Sequence, residues 1–252
     1  GVNITGYVFH DNGLTMTDPN QTVDSDDAPI PGVELHLLDG TCTTMYDPYA
    51  TNNQHMTTTD AMGYYEFLNI PLDMYCIDEV QPTAYNDGVE VSCDVNGTMS
   101  GDTSANDDNI RSIDLTGGYD GVRCDYLEEG VNLAGSVYHD NGLTMTDPNQ
   151  TVDSDDAPIP GVELALFTSD CTTAYVPYTG TTAFETTTAA DGSYEFTNIP
   201  LLQYCIEETQ PTNFNDGADM QCDVNGVMNG TVAQDDKISA IDLSGGVDGM
   251  LC

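Results

Sequence analysis

The sequence predicts an all-β protein built as two tandem antiparallel β-sandwich modules, residues 1–129 and 130–252. Three observations carry this: apolar residues alternate with a period of two, turn residues interrupt that alternation at short intervals, and the chain repeats itself. Segments 10–35 and 139–164 are identical, HDNGLTMTDPNQTVDSDDAPIPGVEL in both copies. After Gly101 the second copy is one residue shorter, near Asp102. A chain of 252 residues is long enough for two domains, each with its own core.

In the first copy the strands are expected at 2–8 (VNITGYV), 33–37 (VELHL), 65–67 (YEF), 75–80 (YCIDEV) and 110–115 (IRSIDL). Turn signals separate them at Asp60-Ala61-Met62-Gly63, Asn86-Asp87-Gly88, Asn96-Gly97 and Gly117-Gly118. Alternation assigns Val33, Leu35, Leu37, Phe67, Tyr75 and Ile77 to an inner face. No segment of helical length has a helical apolar period.

Charge narrows the function. Acidic residues number 43 against 3 basic ones, a formal charge of −40, which repels nucleic acid and anionic lipid. No apolar run is long enough to insert into a membrane. The acids are 32 Asp and 11 Glu, a bias towards residues that close turns or coordinate hard cations. The first copy begins Gly1-Val2-Asn3 and the second Gly130-Val131-Asn132, so the simplest expectation is an excerpt from a longer array.

The 8 Cys fall four to a copy at matching positions, which reads as a disulfide framework from an oxidising compartment. Each set of four permits three pairings, and the sequence does not choose among them. The pairing we expect is Cys42–Cys76 with Cys93–Cys124, repeated as Cys171–Cys205 with Cys222–Cys252. If Tyr75 and Ile77 point inwards, Cys76 faces outwards, within reach of a loop residue such as Cys42. Zinc held by Cys with His10, His36 or His55 is the alternative. It is disfavoured because Ala165 replaces His36 and His55 has no His counterpart.

The repeated acidic segment is the candidate metal site. Calcium takes six to eight oxygens from a flexible backbone, and closely spaced carboxylates, amides and hydroxyls supply them. The expected ligands are Asp11, Asp18, Asn20, Thr22, Asp24, Asp26 and Asp27, with Asp140, Asp147, Asn149, Thr151, Asp153, Asp155 and Asp156 in the second copy. A solvated acidic loop is the bland alternative, but so much negative charge in one ordered loop is costly without a counter-ion. A second cation among Asp107, Asp108 and Asp120, or Asp235, Asp236 and Asp248, competes evenly with ordinary turn Asp. Catalytic arrangements are poor: His10 and His139 adjoin Asp11 and Asp140, but no Ser or Cys is set up as a nucleophile. Asn-x-Thr acceptor patterns stand at Asn3, Asn20, Asn96, Asn149 and Asn229.

The ordered series of these motifs is specific. An Asp-rich loop, Ile-Pro-Gly-Val-x-Leu, Asp-x-x-Gly-x-Tyr-x-Phe-x-Asn-Ile-Pro, Tyr-x-Ile-x-Glu-x-x-Gln-Pro and Ile-x-x-Ile-x-Leu-x-Gly-Gly follow one another in both copies. The series resembles the B-type repeats of serine-aspartate repeat surface adhesins, within the collagen-adhesin B-type, prealbumin-like group. The resemblance implies prealbumin-like or Ig-like sandwiches standing in tandem as cell-surface stalks, with calcium as cofactor. Four Cys per module are unusual in that group, and the lysine of its intramolecular isopeptide bond is missing.

The expectation is therefore an extracellular, secreted or cell-surface structural repeat in a stalk or fibre, and not an enzyme. Its partners would be neighbouring repeats of a longer chain and identical chains in a fibre. An adhesin module gripping a host or matrix component is the alternative.

Overall fold

The computed structural model of the protein describes residues 1–11, 27–46, 55–105, 107–140, 156–177, 184–215, 217–233 and 236–252. These residues form 22 strands and no helix. The chain divides into two compact units, Gly1–Glu129 and Gly130–Cys252.

In the first unit the strands are β1 (Val2–His10), β2 (Ala28–Pro29), β3 (Glu34–Asp39), β4 (Met56–Thr58), β5 (Tyr64–Ile70), β6 (Met74–Glu79), β7 (Asn86–Val95), β8 (Thr98–Ser100), β9 (Asn109–Asp114) and β10 (Val122–Glu129). One sheet runs β2-β1-β10-β7-β8, with β5 also on β1, and the other runs β4-β3-β6-β9. Strand β1 alternates buried and half-buried positions along its whole length, so Val2, Ile4, Val8 and finally His10 face inwards. Val2, Ile4 and Val8 meet Leu35, Leu37, Tyr65, Phe67, Tyr75, Ile77, Ile110 and Ile113 in one core. The six residues assigned to the inner face from alternation are all buried. Burying each such side chain contributes roughly 1.5–3 kcal/mol.

Three local expectations are corrected. The sandwich is not wholly antiparallel, because β1 pairs in parallel with β10 from Ile4↔Val122 to His10↔Glu128. The parallel pair brings the unit's first and last strands side by side, and Gly6 permits their close approach. A Cβ there would lie 1.7 Å from the Cys124 carbonyl oxygen, which accepts a hydrogen bond from the Tyr65 hydroxyl at 2.8 Å. The Asn86-Asp87-Gly88 signal is not itself the turn but opens β7, where the register to β10 slips by one residue between Leu127↔Val89 and Glu129↔Asn86. Cys76, expected on an outer face, is fully buried, because its bridge to Cys42 covers it.

The second unit contains β11 (Val131–Ser136), β12 (Tyr138–His139), β13 (Ala157–Pro158), β14 (Glu163–Thr168), β15 (Phe184–Thr187), β16 (Ser193–Ile199), β17 (Gln203–Glu208), β18 (Cys222–Val224), β19 (Val227–Asn229), β20 (Thr231–Ala233), β21 (Lys237–Asp242) and β22 (Met250–Leu251). Its sheets run β16-β11-β22-β18-β19 and β15-β14-β17-β21-β20, with β12-β13 as a separate pair. The parallel contact recurs between β11 and β22. Leu133, Leu164, Leu166, Phe196, Tyr204 and Ile241 form the matching core.

Candidate functional site

The acidic segment leaves the sandwich through a two-strand mouth. His10 at the end of β1 pairs with Ala28 of β2, so Asp11 and Asp27 leave the ladder side by side. Asp11 is fixed further by its N–H, which donates to the Glu128 carbonyl at 2.9 Å, and Asp27 is buried. In the second unit His139 pairs with Ala157 in the same way, placing Asp140 and Asp156 at an equivalent mouth. The structure thus brings together the outermost residues of each predicted ligand set. The rest, Asp18, Asn20, Thr22, Asp24 and Asp26 with Asp147, Asn149, Thr151, Asp153 and Asp155, lie outside the described residues.

Beneath the first mouth is a polar layer. His10 is 2 % exposed, its ring 4.8 Å from that of Tyr85. In the second unit the His139 and Phe214 rings stand 5.1 Å apart, Phe214 being the counterpart of Tyr85. Glu79 and Glu128 are buried in the first unit, and Gln81 Nε2 donates to Glu128 Oε2. Burial, reinforced by the charge of Glu128, raises the Glu79 carboxyl well above the usual range. Burial likewise pushes Glu128 up to about 8. Both Glu79 oxygens are buried without a hydrogen-bond partner, so the raised proton affinity lowers the cost of placing two carboxylates where they would repel. Sequence reasoning missed this pair. Its signal was present, because Glu79 continues the inward series Tyr75, Ile77, and His10 continues Val2, Ile4, Gly6, Val8.

In the second acidic group, where a cation competed evenly with ordinary turn Asp, the described residues go to separate partners. Asp107 is clasped by Arg111, with Nη1 2.7 Å from Oδ1 and Nη2 2.5 Å from Oδ2. Asp120 Oδ1 accepts from the Asn3 N–H at 2.7 Å. Asp248 makes the same contact with Asn132 at 2.7 Å, so both cap the first strand of a unit. Asp108 faces Asp87 and Glu90 instead. Asp235 lies outside the described residues.

Four disulfides staple the units: Cys42–Cys76 and Cys93–Cys124 in the first, Cys171–Cys205 and Cys222–Cys252 in the second. One bridge in each unit ties a turn residue to the middle of a strand. Those turn residues, Cys42 and Cys171, have left-handed φ values of 57° and 55°. The other ties β7 to β10, or β18 to the chain just after β22. All the cysteines are used within their own unit, as befits an extracellular or cell-surface setting.

These features define a disulfide-stapled all-β module whose repeated acidic segment starts and ends at one mouth. No family model matches the chain. By sequence it is similar to serine-aspartate repeat-containing protein F of Staphylococcus epidermidis, 27 % identical over 245 residues, covering 88 % of this chain and 12 % of that protein. It is also similar to serine-aspartate repeat-containing protein D of Staphylococcus aureus strain Newman, 28 % identical over 250 residues, covering 95 % of this chain and 16 % of the relative. The chain therefore spans less than a fifth of the curated relatives it matches. Among solved structures, the major pilin T-13 of Streptococcus pyogenes aligns over 99 % of this chain and 93 % of its own, at 9 % identity and a TM-score of 0.38. The Bacillus anthracis TIE protein aligns over 84 % of this chain and 29 % of its own, at 14 % identity and a TM-score of 0.37. The resemblance read from the motifs is thus met by relatives bearing the serine-aspartate repeat name.

Proposed function

We propose that the chain is a pair of structural repeats from a cell-surface stalk or extracellular fibre, each hardened by two disulfides and by calcium in its acidic loop. The observation that carries this reading is the repetition of the loop and its seat together. An identical 26-residue segment leaves each unit through an identically paired His–Ala mouth. A rigid array needs the same stiffener in every module, whereas a ligand grip is needed only once. The partners are neighbouring repeats and identical chains, and the module performs no catalysis.

Calcium is the testable part. A ligand that binds only the folded state stabilises it by RT ln(1 + [L]/Kd), about 2.7 kcal/mol per site at a hundredfold excess over Kd. Scanning calorimetry of the full chain in calcium should therefore show a higher midpoint than in chelator, with sodium chloride of equal ionic strength giving little of the shift. Asp24→Ala with Asp27→Ala should remove the gain from the first unit alone. Equal midpoints in calcium and in matched sodium chloride would make the loop a solvated acidic surface.

A further inference from the structure

Of the Asn-x-Thr acceptor patterns, those at Asn3, Asn96 and Asn229 fall on described residues, while Asn20 and Asn149 lie outside them. Such a pattern can be modified only where the amide nitrogen and the hydroxyl two residues on can both be reached. The three described patterns differ on that ground. Asn3 stands in β1, which β5 and β10 flank. Its Oδ1 accepts from the Asn69 N–H at 2.9 Å, and the hydroxyl of its pattern, on Thr5, donates to the Val122 carbonyl at 3.1 Å. Asn229 is tied through both ends of its amide: Nδ2 donates to the Asp242 carbonyl and Oδ1 accepts from the Asp242 N–H, each at 2.8 Å. Presenting either side chain to an enzyme would mean opening these contacts first.

Asn96 is placed differently. Asn96-Gly97 is the two-residue turn of the β7–β8 hairpin, closed by the pair Val95↔Thr98. Both residues have positive φ, 53° and 79°, as a type I′ turn requires. The Gly97 N–H donates to Asp94 Oδ1 at 2.5 Å, which holds the backbone of the turn and leaves its side chains alone. Asn96, Gly97 and Thr98 are all exposed, and a Cβ on Gly97 would meet nothing within 4 Å. Neither the Asn96 amide nor the Thr98 hydroxyl bonds a described residue. The second unit repeats this turn without the hydroxyl. Asn225-Gly226 closes the β18–β19 hairpin through Val224↔Val227, with φ of 52° and 83° and the Gly226 N–H on Asp223 Oδ1 at 2.7 Å. Val227 is exposed as Thr98 is, and the two side chains differ only by a methyl in place of the hydroxyl.

We infer that Asn96 is a glycan acceptor in the first unit. The donor class is a sugar carried on a polyprenyl diphosphate, delivered by a transferring enzyme at the membrane. Asn96 Nδ2 attacks the anomeric carbon of the sugar, and the new C–N bond replaces the C–O bond to the diphosphate. The diphosphate leaves with the electron pair of that bond, and one amide proton passes to a base of the enzyme. The product carries an N-linked sugar beside β8, the strand that ends its sheet. A bulky polar group there would screen Met99, 59 % exposed, and would keep the edge of β8 from pairing with another chain.

Mass spectrometry of peptides from the full chain as secreted by its native cells, with fragmentation that places each modification, tests this. Asn96 should carry sugar mass, and Asn3, Asn225 and Asn229 should carry none. Asn96→Gln should abolish the increment on that hairpin, and Val227→Thr should create one at Asn225. Recovery of Asn96 unmodified, or as Asp through deamidation of its Asn-Gly bond, would overturn the proposal. Sugar on Asn3 or Asn229 would overturn it too, because access to the side chain would then not select the acceptor. So would a Val227→Thr chain left bare at Asn225, because an exposed Asn-Gly turn with its hydroxyl restored would then not suffice.

Discussion

The two units have matching cores and one stapling plan, and where both have residues they close alike, Arg123↔Asp94 in the first answering Leu251↔Asp223 in the second. In the first, β10 runs from Val122 to Glu129 and pairs with β7 at five positions between Arg123↔Asp94 and Glu129↔Asn86. In the second, β22 is Met250–Leu251 and meets β18 at the single pair Asp223↔Leu251. Glu79 is buried beneath the longer closing strand, while its counterpart Glu208 is only half-buried. In the first unit the charge of Glu128, on β10, adds to burial in raising the Glu79 carboxyl. Burial is the larger cause for both members of the Glu79–Glu128 pair.

The closing disulfides offer the largest contrast. Cys93–Cys124 and Cys222–Cys252 enclose loops of nearly equal length, with sequence separations of 31 and 30. In the chain-entropy model each contributes roughly 3–4 kcal/mol. Replacing either pair by Ala should cost about that much, so any difference between the variants measures the ladder. We expect the Cys222→Ala, Cys252→Ala chain to lose amide protection throughout β18 and β22. The Cys93→Ala, Cys124→Ala chain should keep protection in β7 and β10, where hydrogen bonds persist. Hydrogen exchange resolved by strand checks this, and equal loss of protection would mean that the bridge alone holds both closing strands.

A smaller effect follows from lengthening the second closing strand. Appending Asp-Tyr-Leu-Glu-Glu, the sequence of residues 125–129, after Cys252 supplies counterparts of the buried Tyr126 and Leu127. Residues 217–221, which carry no strand, should then pair as their counterparts in β7 do. The midpoint of the second unit should rise by several degrees, because about 1 kcal/mol moves a domain of this size by roughly 4 °C. No rise would show that the difference between the units lies in the sequence of 209–221 instead.

Much of this was legible beforehand, for a physical reason: period-two alternation records burial directly. It placed Leu35, Leu37, Tyr75 and Ile77 inside, and the same rule extended by two residues would have placed Glu79 and His10 there. Parallel pairing of β1 with β10 was not legible, because it joins residues 118 apart, such as Ile4 and Val122, and alternation carries no direction. The bulge at Asp87-Gly88 was read as a turn because the same residues serve both structures. Grouping acids by closeness in sequence put Asp107 with Asp108, whereas the left-handed turn at Asp108 aims the two apart, one to Arg111 and one to Glu90.

The smallest effect concerns Asp125, on the part of β10 for which the second unit has no equivalent residue in this chain. Its Oδ1 accepts from the Tyr7 N–H at 3.0 Å and its Oδ2 pairs with Arg123 Nε at 2.8 Å. Burial nevertheless outweighs both and raises the carboxyl above its ordinary 3.8. A group whose folded value is raised contributes stability that is present below the unfolded value and lost as pH rises through the folded one. Ionised Asp125 is therefore a net cost at neutral pH. Arg123 repays little of it, because its side chain is 49 % exposed and it also lies over the Tyr7 ring. Asp125→Asn keeps an oxygen for the Tyr7 N–H and removes the charge. It should be neutral or stabilising by up to about 1 kcal/mol at pH 7, and the advantage should vanish near pH 3, where Asp125 is protonated. Urea midpoints of the two chains at both pH values decide this. A variant clearly weaker at pH 7 but equal at pH 3 would show that the Arg123 pair outweighs burial, and that the longer closing strand gains by its charge rather than in spite of it.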